Sequence, residues 1–448
     1  METPEAWRFP ADEDNVIANL RWWEQFQDPV LNQLIVTALE NNNDLKVAVH
    51  RVYEFYSTLG IVSAALWPAI TGNAAANRNE VSLTLVPTTV APNQRVFNQY
   101  ITLLNLSYEV DIWGRIHSAT DAALADLLSQ IEARRGVVLT LVSSVAIAYI
   151  QLRQFDKQLE IAHDTYKSRI DSYNLAKIRY QEGLTSDLEV QQAASEVQSA
   201  LVEVKQLEIS IPRTENQISA LLGILPQPIP RGTSITQLNM PFEVPAGLPS
   251  DILFNRPDIM QAEQNLSATV SRVGEAIAAM FPQISLTGFY GNESSELHKL
   301  LTAPSRAWQY GIALLSPVFD AGKLGYAVNV AVAVQKQALY RYFQVIINAF
   351  AEVNTALIAH QKSKELVHVL FQQVDILKEY LHLATLQYNN GQTDYLNVLD
   401  AERTLFQSQL DLAQAQGEAF TTLIQLYAAL GGGWVIDADN GLPCQDNP

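Results

Sequence analysis

The residues that could carry chemistry are few, and their spacing is poor for it. The seven histidines, His50, His117, His163, His298, His360, His368 and His382, nowhere form the His-x-x-x-His pair within a Glu-bearing motif that holds a zinc ion. No glycine-rich phosphate loop precedes a helix, and no Gly-x-Ser-x-Gly turn is present. The single cysteine, Cys444, sits in a Pro/Gly/Asp-rich tail, so neither a disulfide framework nor a thiolate metal site can be drawn. Neither an enzyme nor a cofactor is expected. Asp111 and Asp320 precede Gly114 and Gly322 where strand becomes helix, which suits capping and turn geometry. Arg256-Pro257-Asp258 reads as an ion pair beside a helix start, and His360 and His368 as solvated or seam-edge residues of a long helix.

One polar cluster occurs twice. YQEGLTSDLEVQQAA (180–194) and YNNGQTDYLNVLDAE (388–402) share Tyr180/Tyr388, Gly183/Gly391, Thr185/Thr393, Leu188/Leu396, Val190/Val398 and Ala193/Ala401, always at the offset 388 − 180 = 208. Without a gap, the same offset pairs Gly114 with Gly322, Arg115 with Lys323, Ala176 with Ala384, Gln217 with Gln425 and Gly223 with Gly431. The chain is a tandem duplication. An ungapped register of this length is the mark of long helices, where an insertion would break a shared seam.

Each half reads helix, strand, strand, long helix, turn, long helix. Leu45, Val49, Val52, Tyr56 and Leu59 alternate spacings of four and three, a coiled-coil seam that stops before Pro68. Ile70, Gly72, Ala74 and Ala76 then alternate with Thr71, Asn73 and Asn77, Leu104, Leu106, Tyr108 and Val110 with Asn105, Ser107, Glu109 and Asp111, Ile284 and Leu286 with Gln283, Ser285 and Thr287, and Trp308, Tyr310, Ile312 and Leu314 with Gln309, Gly311 and Ala313. These are two-faced strands. A proline-free pattern from Gly114 to Tyr180 carries Ile131, Val138, Val142, Val145, Tyr149 and Leu152 on its seam, and Gly322 to Tyr388 repeats it. At ~1.5 Å per residue each long helix would reach roughly 100 Å, an elongated object. Both return helices end in Leu-Gly, a C-terminal glycine stop.

The expected organisation is therefore an N-terminal segment 1–43; a first repeat 44–223, with strands at about 68–84 and 97–111 and helices 114–180 and 185–222; and a linker 224–250. A second repeat follows at 251–431, with strands at about 282–292 and 307–318 and helices 322–388 and 393–430, then a tail 432–448.

Charge narrows the partners. A formal net charge of −18 argues against nucleic acid and against an anionic membrane surface. The start has neither a basic n-region nor an apolar core, so no signal peptide is expected in this chain. No uninterrupted run of 18 apolar residues exists, which excludes helical membrane spans at this level of reading. Strands of about ten residues, at roughly 3.3 Å each, are long enough to cross a ~30 Å hydrocarbon layer. Four cannot close, and an open sheet in lipid leaves edge groups unsatisfied, so other copies must complete a barrel. Two copies give eight strands and three give twelve; only the larger barrel leaves a lumen. A soluble protein with two hairpins on a coiled coil stays open on pattern alone.

WWEQFQDPVLNQLIVTALENNNDLKVAVHRV, SYEVDIWGRI, NRPDIMQAEQNLSATVSRVGEAIAAMFPQISLTG, VFDAGKL and YNNGQTDYLNVLDAERTLFQSQLDLAQA together resemble the TolC family of outer-membrane efflux proteins over roughly residues 20–433. The branch most similar is the outer-membrane lipoproteins of resistance-nodulation-division (RND) multidrug pumps. The resemblance implies a mainly α fold with a membrane β-barrel portion. It implies a homotrimer whose twelve-stranded barrel, four strands per chain, continues into an α-helical coiled-coil tunnel in the periplasm of a Gram-negative cell. It also implies a periplasmic adaptor protein and an inner-membrane RND transporter as partners, outer-membrane lipid around the barrel, and export of drugs or other small toxic molecules. A duct for type I protein secretion uses the same fold and is the alternative; a structural coiled coil is the third. Proteins of this branch usually begin with an acylated cysteine, whereas here no cysteine precedes Cys444. Either the lipid site lies outside this sequence or the member is not lipidated, and the barrel would hold it in either case.

By the same resemblance the doubled turn is the periplasmic entrance. Tyr180, Gly183, Thr185 and Gly391 belong to the tip turns that meet the adaptor. Tyr388 occupies the position of a gate tyrosine, and its acidic partner, six residues after the glycine of the first repeat, is Glu189. Asp400 matches the second aspartate of a pair ringing the constricted tunnel; Asn397 replaces the first, and Thr393 stands where some members carry a latch arginine. Three Asp400 carboxylates near one axis would repel, raising their apparent pKa or recruiting a cation. For the Gly-x-Thr pairs themselves, a turn followed by a helix cap is the simpler expectation.

Overall fold

The computed structural model describes residues 21–80, 82, 96–239 and 252–432. The chain start, the last part of the first expected strand, residues 240–251 and the tail with Cys444 lie outside them. Among the described residues the order is α1 (Pro29–Asn41), α2 (Asn43–Ser63), β1 (Ala69–Glu80), β2 (Val96–Val110), α3 (Arg115–Gln181) and α4 (Asp187–Leu221). After these come α5 (Ile252–Asn255), α6 (Pro257–Ala278), β3 (Gln283–Ser294), β4 (Arg306–Leu315), α7 (Lys323–Asn389) and α8 (Tyr395–Ala429). The helices α3 and α7 have 67 residues each, and α4 and α8 have 35 each, so the duplication is kept element by element. β4 stops at Leu315, ahead of Pro317, which lacks the N–H needed to continue a ladder. Pro212 lies inside α4.

The chain divides into two compact units, and each takes pieces of both repeats. One comprises 51–131 and 261–342 and holds a four-stranded antiparallel sheet in the order β1-β2-β3-β4. Its register settles which side chains share a face. Leu104 pairs with Gly72 and Tyr290, Leu106 with Ile70 and Gly288, Tyr108 with Leu286, and Val110 with Ile284. Across the next ladder Tyr290 pairs with Trp308, Leu286 with Ile312 and Ile284 with Leu314. Directly opposed residues lie on the same side of a sheet, so all four apolar sets form one surface. Tyr310 and Ile312 on it are 81% and 75% exposed. The other surface carries Thr71, Asn73, Gln99, Asn105, Ser107, Ser285, Thr287 and Gln309, together with Ile101, Leu103 and Phe289. At the strand-to-helix turns the aspartates behave as expected: Asp111 accepts the His117 backbone N–H at 2.8 Å, and Asp320 accepts those of Gly322 and Leu324, both at 2.9 Å.

The other unit, 1–50, 132–260 and 343–448, is mainly helical over its described residues. Val138, Val142, Val145, Tyr149 and Leu152 of the α3 seam are buried, matching the spacing argument. Trp22 stacks on Tyr427 at 5.5 Å, and Phe26 meets Phe420 edge-on at 5.5 Å, anchoring the chain ahead of α1 to α8. Asp28 is fully buried with its acceptors filled: it caps α1 through Val30 N–H at 2.9 Å, and accepts Tyr149 Oη at 2.8 Å and Thr233 N–H at 3.0 Å. Arg256 makes the expected pair with Asp258, at 3.0 and 2.7 Å, and adds Glu352 and the Ala429 carbonyl, each at 2.8 Å.

One expectation needs correction here. α3 and α7 each contain an 18-residue stretch apolar enough, by length and composition, to cross a membrane. Thr and Ser weaken such a stretch far less than charges do, so the absence of an unbroken apolar run was not sufficient to exclude it. In α3, 56% of the stretch is buried against the protein itself, as in a core helix. His360 is buried on the α7 seam, whereas His368 is exposed.

Candidate functional site

Why Tyr-x-x-Gly is doubled is answered by hydrogen bonds. At the end of α3 the Gly183 N–H donates to Tyr180 O at 3.0 Å and the Leu184 N–H to Arg179 O at 2.8 Å. At the end of α7 the Gly391 N–H donates to Tyr388 O and the Gln392 N–H to Gln387 O, both at 2.9 Å. This is a Schellman stop, which needs a left-handed residue just past the helix, and the two glycines have φ of +73° and +67°. The tyrosine is the acceptor two residues before the cap, so its ring projects from the last helical turn. Both helix pairs reverse direction by the same device.

The two hairpins join through a small apolar cluster drawn from both repeats. Ala176, Val190 and Ala193 and their equivalents Ala384, Val398 and Ala401 are buried together with Tyr395 and Leu399; Tyr388 packs against them. Small residues at these positions let the helices approach closely. On the rim of this cluster Tyr388 Oη donates to Glu189 Oε1, and Thr185 Oγ1 donates to Glu189 Oε2. Burial and then the Glu189 carboxylate push the Tyr388 phenol up to about 12, so it remains a protonated donor.

Substitution between the repeats changes the chemistry. Asn397 is the equivalent of Glu189 and Thr393 of Thr185, and the same i,i+4 pair forms with its direction reversed: Asn397 Nδ2 donates to Thr393 Oγ1. A carboxylate can only accept, whereas an amide can donate, so the second hairpin keeps the contact and loses the charge. Neither threonine caps its helix. The N-cap residues are Ser186 and Asp394, and neither makes a side-chain capping bond, which corrects the capping expectation. Tyr180, the counterpart of Tyr388, is 46% exposed, as are Leu184 and Leu188 beside it at 75% and 66%. Asp400 is exposed and accepts from Tyr380 Oη at 3.3 Å.

Sequence reasoning missed a buried ionic cluster further along the hairpins. Arg169 pairs with Glu196 at 3.1 Å, both side chains under 5% exposed, and Arg403 Nε donates to Glu196 at 2.6 Å. Arg169 also lies 5.0 Å over the Phe406 ring. Burial lowers the Arg169 guanidinium and raises the Glu402 carboxyl, against which Arg169 pulls. It missed Arg179 as well, whose guanidinium sits 4.6 Å over the Tyr388 ring. A signal was available: at offset 208 these residues face Leu377, Thr404, Ser195, Ala194 and Gln387, so charge that fails to repeat marks the cluster. Among the described residues, no group of three or more His, Cys, Asp or Glu is placed to hold a metal ion.

Long paired helices, a two-faced four-stranded sheet and duplicated reversal turns define an outer-membrane channel protein. The chain belongs to the outer membrane efflux protein family, whose model matches residues 34–224 and 248–432. It is 36% identical to the solvent efflux pump outer membrane protein SrpC of Pseudomonas putida, over 92% of this chain and 87% of that one. It is 31% identical to the cation efflux system protein CusC of Escherichia coli, over 93% and 89%. Among solved structures, a membrane protein from Pseudomonas aeruginosa superposes with a TM-score of 0.89 at 31% identity, each chain covered to 97%. The open-state MtrE outer membrane channel of Neisseria gonorrhoeae does so at 0.86 and 29%, covering 97% of this chain and 96% of that one.

Proposed function

We propose that this protein is the exit duct of a tripartite efflux pump in the outer membrane of a Gram-negative cell, working as a homotrimer and without catalysis. The observation that carries this reading is the sheet register: one face with a continuous apolar band from Ile70 and Leu104 to Trp308 and Leu314, one mostly polar face and two unpaired edges, β1 and β4. In lipid each unpaired edge group costs several kcal/mol, so β4 of one copy must meet β1 of the next. Three copies make twelve strands and a polar lumen. The apolar face then meets outer-membrane lipid.

The division into repeats 44–223 and 251–431 describes how the duct is built. Its periplasmic gate is the Tyr388–Glu189 latch, and Asp400, with neutral Asn397 and Thr393 beside it, forms a narrower acidic ring that attracts a cation when three copies meet. The turns at Tyr180, Gly183, Thr185 and Gly391, with exposed Leu184 and Leu188, offer an adaptor protein an apolar tip. The names of the relatives, pumps for solvents, toluene and cations, support an inner-membrane transporter as the source of the cargo. Expression followed by membrane fractionation tests the reading. The protein is expected in the outer membrane as a trimer that falls apart on heating, and a soluble monomer would refute it.

A further inference from the structure

Arg179 ends α3 at the third-last helical position, where its backbone oxygen closes the Schellman stop of the first repeat. Its guanidinium lies over the face of Tyr388, 4.6 Å from the ring centroid. The same tyrosine donates its hydroxyl to Glu189, which also accepts from Thr185. Tyr388 is therefore held from two directions, at its oxygen by an anion and at its ring by a cation. The two effects reinforce each other, because donation to a carboxylate enriches the ring in electrons and a richer ring binds a cation better. The cation also offsets the Glu189 charge, leaving the four-residue cluster of Arg179, Thr185, Glu189 and Tyr388 neutral. Its counterpart is neutral by a different route: Gln387, Thr393 and Asn397 stand at the matching positions, with exposed Tyr180 in place of Tyr388.

We infer that Arg179 is the positioning residue of the gate: it fixes the Tyr388 ring so that the hydroxyl meets Glu189, and it neutralises a carboxylate that would otherwise be repelled by its copies. This inference rests on the channel reading above and adds to it a residue outside the hydrogen-bonded pair. A planar guanidinium suits the role better than an ammonium, since it can lie flat on the ring while its edge faces oxygen acceptors.

The test has two arms. In the first, Tyr388 is replaced by 3-fluorotyrosine in the detergent-purified protein and its ionisation followed by fluorine NMR. Arg179→Ala is expected to move the phenol pKa upward, and an unchanged titration overturns the contact. In the second, single channels are recorded in planar bilayers. Arg179→Ala is expected to raise open-state occupancy about fivefold or more, the span of a partly desolvated cation–π contact, with Arg179→Lys between it and the wild type. In a Tyr388→Ala background the same substitution should add nothing. An equal increase in both backgrounds, or none in either, overturns the gating role. A Tyr388→Ala variant, with its latch removed, that still passes no current overturns the channel reading instead, and the fluorine shift distinguishes the two failures.

Discussion

Tyr388 Oη donates to Glu189 Oε1, tying the last turn of α7 to the first turn of α4 across residues 199 positions apart in the chain. The bond joins the two repeats where their hairpins reverse, so its loss frees one hairpin tip from the other without touching the buried cluster of alanines and valines behind it. A hydrogen bond to a charged group contributes ~1.5–3 kcal/mol, so three copies hold a closed gate by at most roughly 5–9 kcal/mol. Opening such a gate almost fully takes about 5.5 kcal/mol of differential affinity from a partner, which is of the same size. Tyr388→Phe combined with Glu189→Ala is expected to raise single-channel conductance in planar bilayers. Unchanged conductance would remove the latch from the account.

The buried cluster around Glu196 predicts a stability effect rather than a gating one. Glu196 is the shared acceptor of Arg169, which is buried, and Arg403, which is half open to solvent. Glu196→Ala leaves the Arg169 charge buried without its partner and is expected to cost about 3–5 kcal/mol in urea unfolding of the detergent-solubilised protein. Adding Arg169→Met should recover much of that loss. If the double variant is as unstable as the single, the cost lies in packing and not in the orphaned charge.

His360 makes stability depend on pH. Burial, with Lys364 nearby, holds its ring down to about 4, so the folded state favours the neutral form while the unfolded chain binds a proton near pH 6.5. The contribution is complete above about pH 6.5 and is lost as pH falls towards 4. Thermal unfolding followed by circular dichroism should show stability falling across that window, and His360→Leu should flatten the slope. A variant with the wild-type slope would place the acid sensitivity elsewhere.

The two sheet faces should respond oppositely to charge. Leu286 and Ile312 are paired on the apolar face, whereas Thr287 and Gly311 are paired on the other. Arginine at Leu286 is expected to cost about 2–4 kcal/mol of insertion free energy, and arginine at Thr287 little, because only the first faces hydrocarbon. Refolding yield into lipid vesicles reads the difference; equal losses at both sites would contradict the assignment of faces.

Much of this was legible in the sequence, for a physical reason. The ungapped offset of 208 fixes element lengths, and the alternation of Leu104, Leu106, Tyr108 and Val110 with Asn105, Ser107 and Glu109 fixes which side of a strand is apolar. Periodicity reports faces well because it depends on backbone geometry alone. It cannot report which helices become neighbours. The Arg169–Glu196–Arg403 cluster and the Arg179–Tyr388 contact depend on which positions of α3, α4, α7 and α8 come into register, and no single helix pattern contains that. The choice between a solvated and a seam-edge His360 stayed open for the same reason: its burial is set by α8, where the Ala419 backbone faces it.

The central claim is that a sheet with two free edges is completed by further copies of the same chain. Native mass spectrometry of the detergent-extracted protein tests it most directly. At 49.7 kDa per chain, the expected species is a complex of three chains, and a single chain as the intact form would contradict the account.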